Sequence, residues 1–171
     1  MTKGWRILMV DDDRQMGRTL VDILKLNGYQ AKAAYSAREA LAKVKRVRLD
    51  CILTDVKMPE MNGVDLIRAI KAMQPDLPVV LMTAYSTDKR VKEGLKRGSM
   101  AALFKPLDID ALLRLLSGLR QKQRMVTADD DLSVQEAPAG YILHRRGLVV
   151  IEVTDPPGSY GTTGLVAYSG G

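Results

Sequence analysis

The sequence predicts an α/β fold, a doubly wound, five-stranded parallel sheet followed by a C-terminal extension. Three observations carry this prediction. Five short apolar runs are spread along the first two thirds of the chain, amphipathic patterns of helical period separate them, and charged or hydroxyl residues stand directly after the runs that begin at Trp5, Cys51, Leu77 and Met100. Strands alternating with helices in this way pair in parallel, because parallel neighbours need a long right-handed crossover and a helix supplies it.

Each element has its own justification. Trp5 to Val10 is long enough for a buried strand and too short for a helix, and it stops at Asp11, Asp12 and Asp13. Met16, Leu20, Ile23, Leu24 and Leu26 recur at helical spacing until Asn27-Gly28 supplies a left-handed stop. Tyr29 to Ala34 is a weak strand. Ser36 caps the second helix, with Glu39 in capping-box position and Ala37, Ala40, Leu41 and Val44 on the inner face. Lys43, Lys45, Arg46 and Arg48 crowd its end, where positive charge suits the helix dipole. Asp50 leads into the third strand, whose apolar run ends on Thr54 and Asp55, and a loop holding Pro59 and Asn62-Gly63 follows.

Val64, Leu66, Ile67 and Ile70 face inward along the third helix, which stops before Pro75. Leu77 to Met82 is the fourth strand, ended by Thr83-Ala84. The fourth helix, from about Ser86 to Arg97, carries Lys89, Arg90, Lys92, Lys96 and Arg97 over a thin apolar face of Val91 and Leu95. An element with so little to bury is held weakly and can move. Gly98 ends it, Met100 to Phe104 forms the fifth strand, and Lys105-Pro106 closes that strand. Asp108 caps the last helix, striped by Ile109, Leu112, Leu113, Leu115, Leu116 and Leu119.

Composition bounds the function. At 171 residues, with 46% hydrophobic content, the chain can build one well-packed core and an appendage. Its single cysteine, Cys51, lies in a predicted buried strand, so no intrachain disulfide forms and a reduced setting fits; a reactive thiol is the sharper alternative. The opening residues turn acidic too soon for a secretory segment, and no apolar run approaches the ~18 residues of a membrane span, so the expected location is cytoplasmic with no membrane partner. Residues 1–124 carry 24 Lys+Arg against 14 Asp+Glu, whereas residues 125–171 carry 2 against 6. The basic residues are spread over several helices, which suits solvated faces better than one footprint.

Open parallel sheets present their reactive groups beyond the carboxyl ends of the strands. Those ends carry Asp11 to Asp13, Asp55, Thr83 and Lys105, converging on one rim. Three adjacent carboxylates repel one another and tolerate their charge when a hard cation such as Mg²⁺ shares it. The blander alternative is a helix N-cap with acidic neighbours. Asp55 could equally cap the backbone of its own loop.

The motifs VDDD (Val10 to Asp13), LTDVKMPEMNG (Leu53 to Gly63), MTA (Met82 to Ala84) and FKP (Phe104 to Pro106), in this order and spacing, resemble the receiver domain of two-component response regulators over residues 3–124. The resemblance implies a flavodoxin-like fold and a signalling switch that catalyses only its own phosphorylation and slow dephosphorylation. It implies Asp55 as phosphoacceptor, Asp11 and Asp12 as the acidic pair that, with Asp55 and the backbone carbonyl of Lys57, holds Mg²⁺, Thr83 as switch hydroxyl and Lys105 as the basic residue. The implied partners are a histidine kinase or phosphotransfer protein and an output protein, and the family's habit of pairing through its fourth helix and fifth strand makes a homodimer an expectation. The chemistry agrees: an aspartate accepts a phosphoryl group when a metal ion and an ammonium neutralise the charge, and a hydroxyl bonded to that group can move its loop.

The chain also departs from the family pattern. The aromatic residue the family places three positions before the lysine is Ala102, so the Thr83 movement lacks its usual side-chain follower and is expected to act through the fourth helix. The rim positions that tune hydrolysis are Lys57 and Tyr85, and a bulky Tyr85 predicts slow self-dephosphorylation. Residues 125–171 read as a linker and extension, with an acidic start at Asp129 to Asp131, a β-hairpin within 141–153 around His144 to Gly147, and a flexible end. His144 reads as a loop histidine, and the acidic tail could fold back on the basic body. Residues 125–171 match neither a helix-turn-helix nor a phosphate-binding loop. Two alternatives remain: a phosphate-independent binding module acting through the basic fourth helix or the extension, and a nucleic-acid binder, which an aromatic fraction of 5% disfavours.

Overall fold

A computed structural model describes residues 4–84, 89–126, 141–143 and 149–151. Strands β1 (Arg6–Val10), β2 (Gln30–Ala34), β3 (Cys51–Asp55), β4 (Val79–Thr83) and β5 (Ala101–Phe104) form one parallel sheet in the order β2-β1-β3-β4-β5. They alternate with helices α1 (Arg14–Leu26), α2 (Ala37–Arg46), α3 (Gly63–Met73), α4 (Lys89–Lys96) and α5 (Ile109–Val126). From β1 the chain pairs first with β2 and then crosses back to place β3 on the other side. The crevice at that reversal, beyond the carboxyl ends of β1 and β3, is where this architecture gathers ligands.

Both faces of the sheet are covered, so the central strands are apolar on both sides. Ile7, Met9, Leu53, Val80 and Met82 pack against Leu20, Val21 and Leu24 of α1 and Leu112, Leu115, Leu116 and Leu119 of α5. The alternate residues Leu8, Val10, Ile52 and Leu81 pack with Ala40 and Val44 of α2 and Leu66, Ile67 and Ile70 of α3. The period of two in the strands and 3.6 in the helices thus sorts one sequence into two cores.

One residue of the expected α1 stripe faces the other way. Leu26 is 87% exposed. It follows Leu24 by two positions, about 200° around the helix, and therefore points away from the face that Gly17, Leu20, Val21 and Leu24 bury. The expected stops and caps are in place: Gly28 adopts φ 82°, Ser36 Oγ accepts from the Glu39 amide at 3.1 Å, and Asp108 accepts from the Ala111 amide at 3.0 Å. The Glu39 carboxylate accepts from the Tyr35 amide at 2.8 Å rather than from the cap's own amide. Asn62, read as a turn residue, is the N-cap of α3 and accepts from Val64 and Asp65. The first residues of the expected fourth helix lie outside the described residues, and α4 is described from Lys89.

Long-range polar contacts tie the ends of the elements together. Arg6 pairs with Asp50 through two guanidinium nitrogens, at 3.0 and 3.2 Å. The Trp5 indole donates to Gln123 of α5 at 2.6 Å, and Gln123 in turn donates to the Asp50 carbonyl. On the edge strand β2, Lys43 Nζ donates to the Ala33 carbonyl at 2.6 Å and occupies an acceptor that another chain could otherwise pair with. In the extension, β6 (Tyr141–Leu143) and β7 (Val149–Ile151) pair antiparallel, Tyr141 opposite Ile151. His144, Gly147 and the rest of the expected turn lie outside the described residues, as does Asp129 to Asp131. No helix among the described residues is long and apolar enough to cross a membrane.

Candidate functional site

Parallel pairing brings the predicted rim together. Asp11 directly follows β1, and its amide continues the ladder to the Ala34 carbonyl at 3.1 Å. Asp55 and Thr83 are the last residues of β3 and β4, and Lys105 follows β5, its amide donating to the Thr83 carbonyl at 2.7 Å. The peptide between Lys105 and Pro106 is cis. Asp11, Asp55 and Thr83 are buried, with 2%, 7% and 1% exposure, while Asp12 lies open to solvent.

Lys105 organises the charge. Its ammonium lies 2.7 Å from Asp11 Oδ2 and 2.8 Å from Asp55 Oδ1. The other Asp55 oxygen accepts from the Lys57 amide at 2.9 Å, and Asp11 Oδ1 accepts from the Asp13 amide at 2.9 Å. Burial pushes the Asp55 carboxyl above its ordinary value, a push that Lys105 opposes and the charge of Asp11 reinforces. For Lys105 burial works against the ammonium, but the hydrogen bonds to Asp11 and Asp55 outweigh it and hold the group above its ordinary value.

The members of the aspartate triplet divide in the structure. Asp13 caps α1, accepting from the Gln15 and Met16 amides at 2.9 and 3.0 Å. Asp11 and Asp12 instead join Asp55 in a group whose ligand oxygens all lie within 4.8 Å of one another, an arrangement that could hold a metal ion. Three carboxylates facing one ammonium leave net negative charge, and hard oxygen donors with an open, solvated side suit a divalent cation that keeps part of its water. Asp55 accepts from the Lys57 amide of its own loop and also faces Asp11 and Asp12.

Other expectations fall away from the rim or outside it. Cys51 is fully buried and its thiol is pushed up to about 12 by burial, so it stays protonated and the reactive-thiol alternative loses its footing. Ala102 sits on β5 opposite Leu81, half-buried. Tyr85 lies outside the described residues. Lys89, Lys92 and Lys96 of α4 and Arg97 just after it are exposed. One site residue was missed in the sequence: a Cβ at Gly63 would overlap the carbonyl oxygen of Asp55 and lie 3.1 Å from Val56 Cα. Only glycine lets α3 begin this close to the aspartate, and the Asn-Gly pair, read simply as a turn, hid that demand.

An acidic rim bridged by one lysine, at the switch point of a β2-β1-β3-β4-β5 sheet, defines a receiver domain. The chain belongs to the response regulator receiver domain family, whose family model matches residues 7–117. It is 42% identical over 110 residues to the transcriptional regulatory protein ZraR of Salmonella typhimurium, covering 64% of this chain and 25% of that protein. It is 38% identical over 112 residues to the response regulator protein FleR of Pseudomonas aeruginosa, covering 66% and 24%. The chain therefore spans about a quarter of the length of these curated relatives. Among solved structures, the CheY-like receiver domain protein of Methanospirillum hungatei superposes with a TM-score of 0.67 at 28% identity, covering 72% of this chain and 99% of that one. The receiver domain of the Francisella response regulator 1452 gives 0.66 at 28%, covering 70% and 99%. The protein thus carries the receiver domain of a response regulator, a signalling switch of two-component systems.

Proposed function

We propose that this chain is switched by phosphorylation of Asp55, with residues 3–124 as the receiver unit and 125–171 as linker and extension, and that it signals by protein contact in the cytoplasm. The observation that carries this reading is the Lys105 ammonium bridging Asp11 and Asp55 at 2.7 and 2.8 Å beside an open acidic group. Asp11, Asp12, Asp55 and the backbone carbonyl of Lys57 would hold Mg²⁺, which when bound offsets the charge of the incoming phosphoryl oxygens.

The donor is a phosphohistidine on a histidine kinase or phosphotransfer protein. An Asp55 oxygen attacks phosphorus; the new P–O bond forms as the P–N bond breaks, and the imidazole leaves and takes up a proton. Lys105, already within bonding distance of Asp55, turns its ammonium toward the transferred oxygens, and the Thr83 hydroxyl donates to one of them. Lys57 and Tyr85 tune access of water to the acyl phosphate, with Tyr85 slowing hydrolysis. That ZraR is a transcriptional regulatory protein suggests an output partner that governs transcription.

The test is intact mass after incubation with Mg²⁺ and acetyl phosphate or phosphoramidate. One phosphoryl group is expected, absent in Asp55→Ala and absent without Mg²⁺. A folded wild-type protein that gains nothing would overturn the reading.

A further inference from the structure

Of the eight residues of α4 only Val91 and Gly94 are buried. Glycine weakens a helix interior relative to alanine, and Gly94 has no positive φ that would call for it. Its neighbours explain it. A Cβ at Gly94 would overlap Cδ1 of Leu81 and lie 3.5 Å from Cγ2 of Val64. Leu81 is fully buried, so α4 sits directly on this side chain, and a methyl at residue 94 would force the end of Leu81 or α4 itself to shift.

Leu81 stands two residues before Thr83 on β4, so the two side chains share one face of the sheet. Its partner across β5 is Ala102, which offers only a methyl group. At this register Leu81 is therefore the larger member of the β4–β5 pair, and it is the side chain closest to Gly94.

We propose that Gly94 and Leu81 form the contact through which the state of Asp55 reaches α4. With Asp55 unmodified α4 is seated on Leu81; when Thr83 is drawn to a phosphoryl oxygen, β4 shifts Leu81 and α4 lifts. Packed contacts of this kind switch between discrete arrangements rather than deforming smoothly. Coupling between two sites is reciprocal, so anything that unseats α4 also favours the phosphorylated form of the rim. The inference rests on the proposed phosphorylation of Asp55.

The test uses the full chain and Gly94→Ala, which places a methyl where Leu81 Cδ1 lies. Without Mg²⁺ or phosphoryl analogue, its α4 amide NMR shifts should move toward the positions that wild type takes with Mg²⁺ and beryllium fluoride. Its affinity for beryllium fluoride in Mg²⁺ should rise about fivefold, the low end of ordinary allosteric coupling. Leu81→Val removes Cδ1, and the double variant should return both readouts to wild-type values. Should Gly94→Ala fail to fold, Leu81→Val alone still decides, because a loosened contact must shrink the analogue-induced α4 shifts. Shifted amides with unchanged affinity, no rescue in the double variant, or full α4 shifts in Leu81→Val would each overturn the coupling role. If wild type itself bound no beryllium fluoride, the phosphorylation reading would fall instead.

Discussion

Asp55 is held where a carboxylate is least comfortable: buried, with Asp11 and Asp12 within reach and one lysine shared between two of the three. A folded-state value raised above the ordinary one means that ionised Asp55 costs stability, a cost absent at low pH and incurred as the pH rises through that value. Asp55→Asn keeps the acceptor for the Lys57 amide and removes the charge, and Lys105 retains Asp11. We therefore expect Asp55→Asn to stabilise the metal-free protein by about 1 kcal/mol, an exchange of function for stability common at charged sites. Urea midpoints at neutral pH in chelator would show it, and added Mg²⁺ should raise the wild-type midpoint more than the variant's. A variant no more stable than wild type in chelator would refute the argument. At this scale the acidic residues and Lys105 were legible because their chemistry is written in residue type and position. Gly63 was not, since its reason is a close approach of two backbone segments that lie apart in the chain.

Elements were legible where periodicity and caps agreed, as in α2 and α5, and less so where a stripe was read too widely, as at Leu26. Pairings between elements leave no local signal. Asp50 looked like a residue that merely leads into β3, yet it anchors Arg6 of β1 through a bidentate ion pair and also accepts from the Arg6 amide at 2.8 Å. Burial alone would raise the Asp50 carboxyl, but the bonds from Arg6 prevail and hold it below its ordinary value. A depressed folded-state value gives stability that is complete above the ordinary carboxylate range and is lost as pH falls through the folded value. Asp50→Asn should accordingly cost about 1–2 kcal/mol at pH 7, the range of a charge-assisted bond with partial exposure. The difference from wild type should shrink as the pH drops below the carboxylate range, and urea melts at pH 7 and pH 3 would reveal it. An equal cost at both would mean that packing, not charge, carries the contact.

For the whole molecule, the placement of the site follows from the sheet order, and so does an unequal distribution of stability. Strands β3 and β4 are buried along their whole length and hold Asp55 and Thr83 at their ends. Helix α3 buries Gly63, Val64, Leu66, Ile67 and Ile70, whereas α4 buries only Val91 and Gly94 and leaves most of its cations in water. A switch needs this contrast, because a chemical event at a rigid rim has a readable effect only where some neighbouring element can change arrangement at small free-energy cost. The thin apolar face of α4 was visible in the sequence, while its seat on Leu81 was not, since a missing Cβ gives no pattern. Native-state hydrogen exchange should therefore show α4 amides opening well before those of α3, β3 and β4, through a local opening that leaves the rest of the fold intact. Added Mg²⁺, proposed to bind at the rim, should slow exchange around Asp11 and Asp55 more than in α4. If α3 and α4 exchanged together at the global unfolding rate, the receiver would be one cooperative unit and the output would have to travel by rigid contact rather than by movement of α4.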